Sequence, residues 1–266
     1  MSVTVTEHDW QALPVAAAFK GHVVGDIHGV SSLLRRALDI VGRRGGGALV
    51  TLGDYIDRGP DSLGVLDLLI EAERDLDLVP LAGNHDWFMW WSVKAGRFAP
   101  YWMQNGGHVI LREIRDDLNF HSLAAVVGPA RCAFLGRLND YHRVGDLVFV
   151  HAGLPPWFDS FAAMAAAVPG WKQTPAHEPE HAHYQWIRAD FLNADRNPGG
   201  VFVVHGHTIH PEVTLRPHRL SIDLGSYTSG RIALVEIDHD RFRPTVIEDD
   251  EQPARWRRAR AEAIGL

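Results

Sequence analysis

GHVVGDIHGV, residues 21–30, decides how the rest of the chain is read. A short apolar run carries strand character and ends in Gly25-Asp26-Ile27-His28-Gly29. In an extended Asp-x-His, both side chains point to one side, so Asp26 and His28 could grip one ion. The flanking Gly25 and Gly29 allow a sharp turn and close approach of backbone to a ligand.

Working outward, apolar runs of strand length recur, and most end in a small polar cluster. They are residues 22–29, 48–59, 76–86, 146–153, 201–208, 220–226, 231–238 and 244–249. Between the early runs the period changes. SSLLRRALDIVGRR places Leu33, Leu34, Ala37, Leu38 and Val41 at helical spacing after a Ser31 or Ser32 cap, and DSLGVLDLLIEAERD does so after Pro60 with Asp61 as cap. Strand, helix, strand, helix, strand is an α/β opening. The later strands follow closely on one another, which predicts an antiparallel part of a mixed architecture. Two segments break the rhythm: an aromatic, helical stretch at about 87–140, and a Pro- and Trp-containing stretch at about 155–184. Both read as insertions over the strand ends of one domain spanning 1–266.

The chain has 266 residues, 46% hydrophobic and 22% charged, so it can bury a sizeable core and is not globally disordered. A net charge of −7 and no extended basic stripe argue against a nucleic-acid track. The lone Cys132 permits no intrachain disulfide and fits a reducing compartment. The N-terminus lacks a secretory pattern, and no run approaches the ~20 apolar residues of a membrane helix. The expectation is a soluble, cytoplasmic protein of open oligomeric state.

In open α/β sheets, ligands bind beyond the carboxyl ends of strands. The groups there are Asp26 and His28; Asp54, Asp57 and Arg58; Asn84 and His85; His151; and His205 and His207. Crowded carboxylates raise one another's pKa, and a pair of divalent cations resolves that conflict. Mixed oxygen and imidazole donors suit Mn2+, Fe or Zn2+. Asp54 can bridge two ions, and Asn84, His151 and His207 can complete the second.

GDIHG, GDYIDRGP, GNHD, HAG and HGHT, in this order over roughly residues 21–230, resemble the phosphoprotein phosphatase family of calcineurin-like metallophosphoesterases. WMQNGGHVIL (102–111) and QWIRADFL (185–192) are similar to its bacterial and bacteriophage branch. The resemblance implies a β-sandwich of mixed sheets flanked by helices, with a dinuclear metal site, Mn2+ favoured, at the strand ends. It implies Asp26 and His28 on the first metal, Asp54 on both, and Asn84, His151 and His207 on the second. His85 would protonate the leaving alcohol, oriented by Asp57, while Arg58 and Arg188 clamp the phosphate with help from Asn84. A water shared by the two ions would attack phosphorus directly. The expected substrate is a phosphoprotein or phosphopeptide, dephosphorylated at Ser or Thr.

A symmetrical diadenosine tetraphosphate hydrolase, or a broad phosphoesterase, is the alternative. Related dinucleotide hydrolases resemble LVARG where this chain has YIDRG, so Asp57 favours esters, whose leaving group needs a proton. A catalytically dead binding module is disfavoured, since no expected chemical position is missing. Blander readings are kept elsewhere: His205 as a satisfied neighbour of the site, HEPEHAHY (177–184) as a solvated loop, the tryptophans of 87–102 as core, ARWRRARAEAIGL as a solvated terminal helix, and Asp223 as a turn residue outside the site.

Overall fold

Alternation along the strands builds the layers. In β3 (Lys20–Val24), Val23 and Val24 are both fully buried yet belong to different apolar clusters. In β7 (Leu147–Val150), Leu147 and Phe149 face one cluster, Val148 and Val150 another. Strands buried on both faces lose the apolar–polar alternation of a solvated sheet and read as continuous apolar runs. The structure, a computed structural model, describes residues 3–95, 102–113, 123–173, 183–254 and 256–257.

Two mixed sheets pack face to face. The first has the order β1 (Val3–Glu7), β12 (Arg241–Asp249), β11 (Arg231–Asp238), β3, β4 (Ala48–Thr51), β5 (Asp77–Pro80), with β2 (Gln11–Ala12) also on β12. The second runs β6 (Tyr141–Val144), β7, β8 (Phe202–His205), β10 (Arg219–Ser221), β9 (Thr214–Arg216). Between them lie Val23, Val50, Ala233 and Val235 against Leu147, Phe149, Val204 and Leu220, with the Phe19 and Phe149 rings 4.8 Å apart. Helices α1 (Ser31–Arg43) and α2 (Ser62–Ala72) cover the outer face of the first sheet through Leu33, Leu34, Val65 and Leu66. Phe161, Met164 and Phe191 cover the outer face of the second. The architecture is the helix-flanked sandwich of mixed sheets.

β3, β4 and β5 are parallel, and so are β7, β8 and β10. The expectation of an antiparallel later part holds for β11 and β12 but needs correction for β7, β8 and β10. A long connection separates β7 from β8, which is the length a parallel crossover requires. The cap expected at Ser31 or Ser32 is also corrected. The helix already includes both serines, and its N-cap is Val30 with no side-chain cap bond. Asp61 does cap α2, accepting from the Gly64 amide at 3.1 Å.

The described residues of the aromatic stretch pack into the core on the helix side of the first sheet. Trp87, Phe88, Trp102 and Phe134 are buried there with Leu66 and Ile56, while Trp90 and Trp91 are only partly buried. HEPEHAHY, apart from His183 and Tyr184, and most of the terminal segment lie outside the described residues. Among the described residues no helix is long and apolar enough to cross a membrane.

Candidate metal centre

All the parallel strands point their carboxyl ends at one place. β3 delivers Asp26 and His28, β4 delivers Asp54, Asp57 and Arg58, and β5 leads into α3 (Asn84–Ala95), which opens with Asn84 and His85. β7 delivers His151 from the second sheet, and β8 delivers His207. Six non-glycine residues among those described have left-handed φ, and five are in this group: His28, Asp54, Asp57, Arg58 and His207. Such conformations cost about 1–3 kcal/mol each and persist where surrounding structure over-determines them. The extended geometry expected for Asp26-x-His28 is therefore corrected. β3 stops at Val24, and a turn with His28 at φ 45° presents the pair.

The side chains form two groups that share Asp54. His28, Asp54 and His85 make one and Asp54, His151 and His207 the other, with ligating atoms in each group within 4.8 Å of one another. His28 Nε2 lies 3.3 Å from Asp54 Oδ2 and His151 Nε2 lies 3.5 Å from Asp54 Oδ1. His151 Nε2 is also 3.1 Å from both Asn84 Oδ1 and His207 Nδ1. Asp26 sits at the edge, its two oxygens accepting the His207 amide at 3.2 and 3.0 Å.

Three observations test whether these residues suit metal ions. First, carbonyls fix the tautomers. His28 Nδ1 faces Ile56 O at 2.9 Å and His151 Nδ1 faces Leu52 O at 2.8 Å, so each ring donates there and turns the lone pair of Nε2 inward. Burial, then the Arg58 charge, lowers His28 to about 3, so its ring stays neutral. Second, the acids are crowded. Burial, then the charges of Asp223 and Asp54, pushes the Asp26 carboxyl far up, and burial with Asp54 lifts Asp223 to about 6. Third, the backbone is cut away around them. A Cβ on Gly206 would run into Asp26 Oδ1, and one on Gly83 into Asp54 Oδ1. Inward lone pairs, crowded carboxylates and shaped backbone fit cations held by mixed oxygen and nitrogen donors.

Around this cradle, His85 Nδ1 meets Asp57 Oδ2 at 2.6 Å, and the same oxygen accepts the indole N–H of Trp102 at 2.7 Å. The guanidinium of Arg58 lies 4.7 Å from the centre of the Tyr227 ring and its Nη1 is 3.1 Å from His28 Nε2. Arg188, exposed between two short helices, donates to His207 O at 3.0 Å and Thr208 Oγ1 at 3.2 Å. It thus lies against the His207 loop. His205 has both ring nitrogens engaged, with Gly206 O at 3.0 Å and Ser221 Oγ at 2.8 Å.

Four residues of the neighbourhood escaped the sequence. Asp223 does make a turn, accepting the Gly225 amide at 2.8 Å, but its charge also helps to push the Asp26 carboxyl up. Asp86 accepts the amides of Asp54, Tyr55 and Gly83 at 2.7, 3.1 and 2.9 Å, lashing one loop to another. Trp102 and Tyr227 complete the set. Asp86 carried a readable signal as the last residue of GNHD, and Trp102 as the first of WMQNGGHVIL.

The sequence matches the calcineurin-like phosphoesterase family over residues 21–211, so the chain belongs to that family of metal-dependent hydrolases. Serine/threonine-protein phosphatase 1 of Salmonella typhimurium is 42% identical over 86 residues, 32% of this chain and 38% of that one. The symmetrical bis(5'-nucleosyl)-tetraphosphatase of an Acidovorax species is 33% identical over 142 residues, 51% of this chain and 45% of that one. The chain therefore spans less than half the length of these curated relatives. A metallophosphoesterase structure from Sphaerobacter thermophilus superposes with a TM-score of 0.48 and 16% identity, covering 93% of this chain and 95% of that one.

Proposed function

We propose that the chain hydrolyses phosphate monoesters, with phosphorylated Ser and Thr residues of proteins as its substrates. The observation that carries this reading is the 2.6 Å contact of His85 Nδ1 with the buried carboxylate of Asp57. With Nδ1–H donating to Asp57, the protonated ring carries its second proton on Nε2, where it can be passed to the leaving oxygen. An alkoxide is a poor leaving group and needs that proton, which contributes about 10²–10⁴-fold. The leaving group of an anhydride depends on it much less.

Asp26 and His28 would hold one divalent cation, Asn84, His151 and His207 a second, and Asp54 both, with Mn2+ the favoured metal. When bound, such a pair supplies Lewis acidity and an activated water. Arg58 and Arg188 would meet the phosphoryl oxygens with their fork of donors. Stacking on Tyr227 and the bond to Asn105 O at 3.4 Å restrict where Arg58 can point. Asn84 would turn its amide to the same group.

One observation favours a second reading. The similarity to the Acidovorax dinucleoside tetraphosphatase runs over 51% of this chain, against 32% for the Salmonella phosphatase. Initial rates of the Mn2+-loaded protein on a phosphoserine peptide, p-nitrophenyl phosphate and diadenosine tetraphosphate separate the two. The monoesterase reading expects the peptide to exceed the dinucleotide in kcat/KM. It also expects His85→Asn to lose about 10²–10³-fold on the peptide and far less on p-nitrophenyl phosphate. Dinucleotide turnover exceeding both esters, untouched by His85→Asn, overturns it.

A further inference from the structure

The buried carboxylate of Asp57 has few partners. Its Oδ1 has none, and its Oδ2 is shared between His85 Nδ1 at 2.6 Å and the indole N–H of Trp102 at 2.7 Å. Asp57 is fully buried, at a left-handed φ of 70°. Water therefore does not replace what a neighbour fails to supply. A buried carboxylate held by one bond can rotate about its Cβ–Cγ axis. Held by two donors on one oxygen, from different directions, it cannot do so without losing both.

Trp102 comes from the aromatic insertion, not from a strand end. The short π-helical turn that follows it, Met103–Gly107, also touches the next residue of the site. Asn105 O accepts Arg58 Nε at 3.4 Å, and Gly106 O accepts the Arg58 amide at 3.5 Å. One turn of the insertion thus engages both Asp57 and Arg58, while the Trp102 ring is buried in the same cluster as Ile56 and Phe88. An indole that served only to fill the core would need no alignment with one particular carboxylate oxygen.

We propose that Trp102 is a positioning residue: its indole N–H fixes Asp57 Oδ2 so that the carboxylate holds His85 in the orientation that delivers a proton to the leaving oxygen. This inference rests on the reading of His85 as proton donor. Trp102 acts through Asp57 and touches no substrate. The insertion is then part of the acid machinery, and its turn sets the proton donor and a phosphate-binding arginine from a single support.

The test compares substrates whose leaving groups differ in their need for the proton. In Trp102→Phe the ring stays and the donor goes. The expected result is a fall of about 10-fold in kcat on a phosphoserine peptide with KM unchanged, and a fall under about 3-fold on p-nitrophenyl phosphate. Bound Mn2+ should equal that of the unsubstituted protein. In Asp57→Asn the same tryptophan change should add little, because residues acting through one another are not additive. An equal loss on both substrates, or no loss on the peptide, overturns the role of Trp102. If His85→Asn also shows no leaving-group dependence, the monoesterase reading fails with it; if His85→Asn does show it, only the Trp102 inference falls. A second measurement needs no tryptophan variant to fold. Among the 9 tryptophans of the 15N-labelled protein, one indole N–H should shift and lose exchange protection in Asp57→Asn. Unchanged indole resonances in that variant would also overturn the inference.

Discussion

At the scale of single residues, acids are packed closer than water-exposed acids would tolerate. The Asp223 charge pushes the Asp26 carboxyl up, and both sit in the field of Asp54, with Arg58 as the opposing charge. Without cations this crowding destabilises the fold, a cost commonly found at functional sites. Asp223→Asn should therefore raise the stability of metal-free protein by about 1 kcal/mol, read from urea unfolding. The same change should shrink the extra stability gained on adding Mn2+. A metal-free variant no more stable than its parent would contradict the crowding. A backbone change probes the same carboxylate from the other side. Gly206 does not have positive φ, so an alanine there is not strained by its backbone, but its Cβ would run into Asp26 Oδ1. Gly206→Ala should keep its circular dichroism and weaken Mn2+ binding about 10–100-fold, as measured by titration with detection of free Mn2+. At this scale the sequence was informative about identity and silent about conformation. The motifs placed Asp26, His28, Asp54, Asn84, His85, His151 and His207 near one another. The left-handed φ of His28, Asp54, Asp57, Arg58 and His207 could not be read. Residues other than glycine seldom adopt that conformation, and although Asp and His enter it more readily than most, only the surrounding structure imposes it at these positions. Asp223 was missed because its turn and its nearness to Asp26 depend on a strand from the far end of the chain.

Among the elements, those with a clear period and an obvious cap were legible, and those shaped by packing were not. α2 has both: Asp61 caps it at the Gly64 amide and, through its own N–H, bonds Gly29 O at 2.9 Å. Asp61→Ala removes the cap but leaves the backbone bond. Stability should fall by about 1 kcal/mol in urea titration, with kcat/KM on p-nitrophenyl phosphate within about twofold of the parent. A larger loss of activity than of stability would mean that the cap also sets the geometry of the preceding loop. α1 lacks such a cap, and its start at Ser31 follows from the turn before it, where the Val30 amide bonds Ile27 O at 3.2 Å. The helices of the aromatic stretch include runs of only five to seven residues, Leu123–Val127 and Pro129–Leu135. Helices so short are marginal on their own propensity and form because tertiary contacts pay for them. Their boundaries were therefore invisible, as was the direction in which Trp102 turns its N–H.

On the scale of the whole molecule, the two sheets are joined in two ways. The apolar layer of Val23, Val50 and Val235 against Phe149, Val204 and Leu220 holds their centres. At the carboxyl ends of the strands, polar bonds cross the gap: His151 Nδ1 to Leu52 O at 2.8 Å and the His207 amide to Asp26 at 3.0 Å. The candidate ligands divide along the same line, with Asp26, His28, Asp54 and Asn84 from the first sheet and His151 and His207 from the second. That division was half legible: the motifs named the strand ends, but nothing in the apolar runs assigned each strand to a sheet, because strands buried on both faces look alike. It carries a consequence for unfolding. Cations bound at this seam would link the sheets and favour the native state by mass action, by about 2.7 kcal/mol at a free metal concentration of 100 times Kd. The unfolding temperature of chelator-treated protein should rise steadily as Mn2+ is restored, measured by calorimetry at fixed pH. His28→Ala leaves His151, His207 and Asp54 together and should keep part of that rise. His207→Ala takes away a candidate ligand from the second sheet and should abolish most of it, since His151 alone would then join that sheet to the donors of the first. If both variants retained the full rise, or if the parent's unfolding temperature ignored Mn2+, the seam would be held by its hydrogen bonds and apolar layer alone.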